Sequence, residues 1–294
     1  MGGWTSLIGR ENLIGYVTSR LNSDGGYSFS YPLFGVEFPS SISETYYALS
    51  ILSVLGEEIP ERGQTEEYLR GIQRKDGRYD STAVAFYAVK SLLLIGKKPE
   101  RLGFVDSLRD VLRKPRIFSG QFGGGFFSAD YDISESPFVR MYHASETISA
   151  LGLPVGEDAA RIFTLNADGG FGARNSDMVA TYHALAALAC GGHDAGRLSR
   201  TAEFVEKCEA RGGGYSGVPG SMPPFMETTH SAIMAMKLLG REAACPEKHA
   251  NFIARFQNGD GGFRRSPYLG ISMLCSSYFA VKSLSMLGGD FVHG

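Results

Sequence analysis

The sequence predicts an all-helical protein, a closed toroid of six helix–turn–helix repeats with an inner ring of parallel helices inside an outer ring. Three observations predict it. A glycine-rich loop ending in an aromatic residue recurs six times, each loop is followed by an apolar helical segment that stops at a glycine, and 294 residues leave no length for a second domain.

The loops read DGGY at Asp24–Tyr27, DGRY at Asp76–Tyr79, GGGF at Gly123–Phe126, DGGF at Asp168–Phe171, GGGY at Gly212–Tyr215 and DGGF at Asp260–Phe263. Their aromatics fall 44 to 52 residues apart, room for two helices and their connections. Glycine permits the tight turn, and the aromatic is expected between neighbouring outer helices, so the loops read as structural. The segments after them are TYYALSILSVLG to Gly56, AFYAVKSLLLIG to Gly96, MYHASETISALG to Gly152, TYHALAALACGG to Gly192, THSAIMAMKLLG to Gly240 and SYFAVKSLSMLG to Gly288. Apolar residues spaced by three and four make these helices, and the final glycine is a C-terminal stop. Before each loop lies a more polar amphipathic stretch, such as Glu66–Arg74 or His249–Gln257, which should face solvent. The repeats span roughly 9–56, 62–96, 103–152, 156–192, 196–240 and 246–288 of a single domain, 1–294. An open solenoid of stacked hairpins is the alternative, but six unequal repeats without a polar capping repeat fit closure better.

Bulk composition narrows the partners. Hydrophobic residues make up 43% and charged residues 20%, normal for a chain that buries a sizeable core, and the net charge of −2 gives no global electrostatic case for nucleic acid or an anionic membrane. Cys190, Cys208, Cys245 and Cys275 form no CxxC pair or zinc-finger spacing, which favours reduced thiols and a cytoplasmic address. The start of the sequence shows no basic region followed by an apolar block, so no signal peptide is expected. Met1-Gly2 with Ser6 matches a myristoylation pattern too short to carry weight. No run approaches the ~18 apolar residues of a membrane span.

QNGDGGF (Gln257–Phe263) and the TYHAL-type helices resemble the repeats of protein prenyltransferase β subunits, and GIQRKDGRY (Gly71–Tyr79) has the same character. The related QW repeats of squalene and diterpene cyclases are similar. The resemblance runs from about Leu13 to Gly288 and implies an α/α toroid whose central cavity binds isoprenoid chains. It does not bring either family's catalytic set with it. Counted back from the closing glycines, the places of the zinc ligands hold Phe225, Glu227 and Ser276, and the cationic diphosphate clamp is replaced by SGVPGSMPP at Ser216–Pro224. No zinc site is therefore expected, and Mg²⁺ enters only if the substrate is a diphosphate. The cyclases' Asp-x-Asp-Asp run is also incomplete: Glu227 stands at the proton donor's place in repeat five, and Asp177 fifteen before Gly192 in repeat four.

Positions twelve, nine and five before each closing glycine share one helical face, which the resemblance turns toward the cavity. Nine before stand Tyr47, Tyr87, His143, His183, Ser231 and Phe279; twelve before stand Glu44, Val84, Arg140, Ala180, Thr228 and Ser276; Glu227 and Cys275 lie thirteen before. Aromatic faces of this kind bind apolar chains and stabilise carbocations. Six inner-helix amino termini and Arg140 would favour a diphosphate at the same mouth. The acid candidates are Glu227 first, then Asp177 and Glu44, although Glu44 reads equally well as an answer to the helix dipole and Asp177 as an N-cap. Enclosure among Phe225 and Met226 would raise the Glu227 pKa, as a proton donor requires. His143, His183 and His230 sit at slightly different registers, one per helix, which disfavours a metal site and suggests hydrogen bonds to tyrosines or an acid.

The leading expectation is a zinc-independent isoprenoid enzyme that starts carbocation chemistry by protonation, with Tyr47, Tyr87 and Phe279 facing the cation. Prenyl transfer to a protein or small acceptor, with a helical partner subunit in the protein case, is the second. A non-catalytic isoprenoid or peptide binding module is the third, and paired carboxylates of the glycosidase type run against the repeat character.

Overall fold

The computed structural model describes residues 3–31, 34, 36–113, 136–156 and 165–288. The loop at 123–126 and the first helix expected of repeat four, around 157–164, lie outside the described residues, as does the Met1-Gly2 pattern. Eleven α-helices are present among the described residues: α1 Arg10–Thr18, α2 Ile42–Leu55, α3 Arg62–Ile72, α4 Thr82–Leu94, α5 Phe104–Arg113, α6 Pro137–Ala150, α7 Met178–Cys190, α8 Ser199–Lys207, α9 Met226–Leu238, α10 Pro246–Ala254 and α11 Leu274–Leu287. Among the described residues, extended pairing is confined to isolated bridges around the loops. No described helix is long and apolar enough to cross a membrane.

Six of these helices form the inner ring. α2, α4, α6, α7, α9 and α11 each pack on the next, and α11 packs back on α2, so the ring is closed and the open solenoid is ruled out. The residues five before the closing glycines, Ile51, Ser91, Thr147, Ala187, Ala235 and Ser283, are fully buried in this packing, and all but Ile51 are small. Outside the ring, α1, α3, α5, α8 and α10 pack on α2, α4, α6, α9 and α11 respectively. Each buries one stripe, as α5 does with Phe104, Val105, Leu108 and Leu112. The closing glycines are left-handed or nearly so in all six segments, with φ between 57° and 82°. In the first two repeats the residue beyond the glycine bonds back into the last turn, Glu57 N to Leu52 O at 2.9 Å and Lys97 N to Leu92 O at 2.8 Å.

The recurrent loop is the joint between repeats. Its aspartate accepts from the second glycine's N–H, at 2.9 Å for Asp24, 3.1 Å for Asp168 and 3.0 Å for Asp260, which fixes the turn. The aromatic's N–H is pinned to a hydroxyl eleven before the closing glycine: Tyr27 to Thr45 at 2.9 Å, Phe171 to Thr181 at 3.0 Å, Tyr215 to Thr229 at 3.1 Å and Phe263 to Ser277 at 2.9 Å. The first glycine lies against the backbone of the following outer helix. A Cβ on Gly25 would fall 2.3 Å from Gln64 C, and one on Gly169 would fall 2.2 Å from Arg200 O. The last loop makes the same contact with the first helix, where a Cβ on Gly261 would sit 2.1 Å from Asn12 O. Gln257 completes this seam by accepting from Gly9 N at 2.8 Å and donating to Gly9 O at 3.1 Å.

Gly261→Ala therefore meets both backbone clash and a φ of 91°, and is expected to lower unfolding stability by about 2–4 kcal/mol. Gly259→Ala, with open space around its Cβ, is expected to stay within about 0.5 kcal/mol of the parent. Chemical denaturation of the two proteins side by side checks this.

Candidate functional site

An aromatic stands ten before the closing glycine in every inner helix: Tyr46, Phe86, Tyr142, Tyr182, His230 and Tyr278. The six rings form a continuous belt across the middle of the lumen, each centroid 5.5–6.0 Å from the next around the circle. Their hydroxyls meet in pairs, Tyr46 with Tyr278 at 3.3 Å and Tyr142 with Tyr182 at 3.4 Å. A hexagon of that size puts its centre roughly one and a half carbon contact distances from each centroid, and the ring edges and hydroxyls fill that space. The lumen is thus two chambers rather than one continuous cavity, with Tyr46, Tyr142, Tyr182 and Tyr278 contributing to both.

The upper chamber, about 170 Å³, lies toward the amino termini of the inner helices. Tyr47, Tyr87, His143, His183, Ser231 and Phe279 wall it together with the belt, so all six residues nine before the glycines face inward as expected. The remaining wall is Val139, Val179 and Glu227, thirteen before their glycines. Positions twelve and five do not contribute, which corrects the sequence expectation. Each residue turns the helix by about 100°, and an aromatic doublet at positions ten and nine faces the lumen only if the helix is rotated roughly 50° from a face centred on position nine. That rotation brings in thirteen and six and turns twelve and five into the helix–helix seams. Glu44 and Arg140, at position twelve, accordingly stand outside the walls of both chambers, and so do Asp177 at position fifteen and Cys275, which does not follow the other position-thirteen residues into the wall.

Each of the three histidines stacks its ring flat on an aromatic neighbour in this assembly. His143 stacks on Phe86 with centroids 4.5 Å apart, His183 on Tyr142 at 4.6 Å and His230 on Phe279 at 4.7 Å. His230 Nδ1 also meets Ser283 Oγ at 3.1 Å. Burial drives the pKa of His183 and of His230 down to about 3, so both are neutral near pH 7. Among the described residues no group of three His, Cys, Asp or Glu side chains converges as a metal ion would need.

The three acids are in three different states. Glu227 is held by Arg265, Nε to Oε1 at 2.6 Å, and the guanidinium lies 4.6 Å over the Phe225 ring. The expected apolar isolation of Glu227 is therefore lost to a cation delivered from the following repeat's loop. This also bears on the family's zinc position, since a bridged carboxylate, a phenyl ring and the Ser276 hydroxyl are not a donor set that fits zinc. Asp177 caps α7, accepting from Val179 N at 2.9 Å and Ala180 N at 3.1 Å. Glu44, one turn above Tyr47 on α2, has an enclosed Oε2 with no hydrogen-bond partner among the described residues, and burial raises its pKa to about 7 against the opposing pull of Arg20. Cys275, across from it on α11, is pushed by burial up to about 11 and stays a thiol. Arg140 Nε is likewise enclosed without a partner among the described residues.

Three connections leading into α2, α9 and α11, neighbours in the ring, carry ten of the eleven large apolar side chains exposed among the described residues. They include Phe34, Val36, Met222, Tyr268, Leu269 and Ile271, each at least 66% exposed. A greasy rim thus borders the amino-terminal face of the ring, which is a larger apolar cluster than scattered surface residues produce.

No curated protein is similar to this chain in sequence. Among solved structures, the chain is similar to Candida albicans protein geranylgeranyltransferase-I complexed with GGPP, at 14% identity and a TM-score of 0.69, covering 95% of this chain and 91% of that one. It is also similar to a variant of the type II terpene cyclase MstE from Scytonema in complex with geranylgeranyl dihydroxybenzoate, at 14% identity and a TM-score of 0.62, covering 97% and 96%. At these identities the likeness is one of fold. The family model "Prenyltransferase alpha-alpha toroid domain" matches residues 5–84, 78–241 and 232–293. With that pattern running over nearly its whole length, this chain belongs to the prenyltransferase alpha-alpha toroid family.

Proposed function

We propose that this chain is a zinc-independent isoprenoid-processing enzyme that opens its reaction by protonating an alkene or epoxide at the amino-terminal face of the toroid, with Glu44 as the acid. The observation that carries the proposal is a carboxyl group able to hold a proton near neutral pH, with one oxygen unpartnered among the described residues, in the seam one helical turn above the aromatic chamber. The solved structures of similar fold hold a geranylgeranyl diphosphate and a geranylgeranyl dihydroxybenzoate, which supports a substrate of that class. A chamber of about 170 Å³ takes the reacting end of a prenyl chain, not its full length, and the exposed apolar rim offers the remainder a surface.

Each residue then has a role. Tyr47, Tyr87 and Phe279 turn rings toward the cation that protonation creates. His183 and His230 extend the same wall as neutral rings, so they do not repel positive charge. Glu227, walling the chamber while paired with Arg265, is an electrostatic counterweight rather than the donor preferred from sequence. Asp177 holds the start of α7. No cofactor is invoked in this reading.

One observation favours transfer to an acceptor as a second reading. Arg140 offers an enclosed N–H that has no partner among the described residues, on the amino-terminal side, where helix dipoles also favour a diphosphate. That reaction would use Mg²⁺, and for a protein acceptor the apolar rim would seat a helical partner subunit.

Incubation with geranylgeranyl diphosphate, squalene and related prenyl substrates, followed by product analysis, is expected to give acid-dependent products without added zinc. Glu44→Gln is expected to lower turnover at least ~100-fold, the lower end of what a general acid supplies. Full activity in that variant removes the proposed donor; diphosphate release only in the presence of an acceptor selects transfer; tight binding without turnover across the panel selects a binding module.

The same residue makes a stability prediction. Because burial raises the Glu44 pKa from an ordinary 4.5 to about 7, the carboxyl is protonated in both folded and unfolded chains at low pH. Its contribution is then lost as pH rises through about 7 and the folded state must enclose a charge. Glu44→Gln should match the parent at pH 4.5 and exceed it by about 1–2 kcal/mol at pH 8, a figure discounted for partial exposure. Urea denaturation of both proteins at the two pH values checks the difference.

A further inference from the structure

The larger chamber lies on the other side of the aromatic belt and plays no part in the reaction proposed above. It opens where the inner helices end and holds about 480 Å³, within the roughly 300–1,000 Å³ of small-molecule sites. The belt tyrosines Tyr46, Tyr142, Tyr182 and Tyr278 are its floor. Its sides come from positions six before the closing glycines, where Lys90, Glu146 and Lys282 project, and Met234 adds an apolar surface.

The polar groups here are unequally matched. Lys90 Nζ meets Glu146 Oε2 at 2.9 Å, and Cys190 Sγ donates to the other oxygen at 3.5 Å, so the one carboxylate in the wall is fully engaged. Lys282 has no carboxylate partner among the described residues. It is half-buried, and both its burial and the nearby Lys90 charge push its pKa down, the mark of a cation lacking a counterion. Of the carbonyls at the ends of α2 and α4, those of Leu52, Ser53, Leu92 and Leu93 are bonded within the glycine caps. The tyrosines add donors. Burial holds Tyr142 and Tyr278 well above the ordinary phenol range, so they keep their protons. In each hydroxyl pair one O–H serves the other oxygen, which leaves a second O–H able to donate elsewhere.

We propose that this chamber is a second binding site, taking a small organic oxyanion, a carboxylate or a phosphate monoester, with its head at Lys282 beside the Tyr46–Tyr278 hydroxyls and its apolar body against Tyr142, Tyr182 and Met234. Lys282 follows Tyr278 by four residues on α11, so ammonium and phenol lie on one helical face. A neutral hydrocarbon would bury Lys282 further with no counterion, and a cation would meet two ammonium groups with the only carboxylate already taken. The site does not involve Glu44 and shares only the belt tyrosines with the upper chamber.

The test titrates the full chain with phenylacetate, benzyl phosphate and benzyl alcohol, followed by NMR chemical shifts and calorimetry. At least one anion is expected to saturate a single site at concentrations where the alcohol does not, and the better of the two identifies the head group. Lys282→Gln is expected to weaken anion binding at least tenfold at an unchanged melting temperature. Glu146→Gln, which releases Lys90, is expected to tighten it several-fold, and serves as the independent check if the lysine variant is unstable. The proposal is overturned if neither anion saturates, if the alcohol binds as well as the anions, or if anion affinity is unmoved by the lysine change or falls with the glutamate change.

Discussion

The contact on which the rest of the molecule depends is the one between a loop glycine and the backbone of the next outer helix. It leaves no space for a side chain at Gly25, Gly169 or Gly261, so those three repeats meet their successors at a fixed distance. The neighbouring aromatic, pinned by its N–H to an inner-helix hydroxyl for about 1 kcal/mol per bond, sets the height of the inner helix against that joint. Where both recur, one distance and one height bring corresponding residues of the inner helices to the same level. The aromatic belt is a product of that register. Without it, six rings contributed from positions as distant as Tyr46 and Tyr278 would not meet.

Much of the fold was legible because it is written in local chemistry. A glycine that must be left-handed, a three–four apolar spacing and a loop repeated at a near-constant interval each report a short-range constraint, and all six closing glycines have positive φ. The inward direction of Tyr47, Tyr87, His183 and Phe279 was legible for the same reason. The rotation of each helix about its axis was not. It is decided by which residues fit into the seams, and the signals were there: small residues five before the glycines, and an aromatic doublet that puts Tyr46 beside Tyr47 and Tyr142 beside His143. Read as a pair, the doublet would have pointed to the belt.

The states of the acids were less accessible still. Glu227 takes its character from Arg265, which is 38 residues away and arrives from another repeat's loop. Glu44 takes its character from what fails to reach Oε2. Neither fact has a signature within the helix that carries the residue, and in the proposed reaction the two acids take the opposite order to the sequence reading for that reason. Asp177 is the contrast. Its partners are the two N–H groups just ahead of it, and its capping role could be read where it stands. The belt gives these differences a direction: helix amino termini and a protonatable acid lie on one side, and lysines on the other, so the two faces of one ring present different chemistry to solvent.

The seam between Gly9 and Gln257 has a consequence for how the chain reaches this state. Those two residues are 248 apart, and every other joint links consecutive repeats. Relative contact order is therefore low along the arc and very high at its closure, so closure is the slow, entropically costly event. Until it happens, the incomplete arc exposes the flanks of α2 and α11 as two matching apolar edges. Two such arcs can satisfy each other as readily as one can satisfy itself, which makes end-to-end pairing between molecules the competitor that refolding at high protein concentration must outrun.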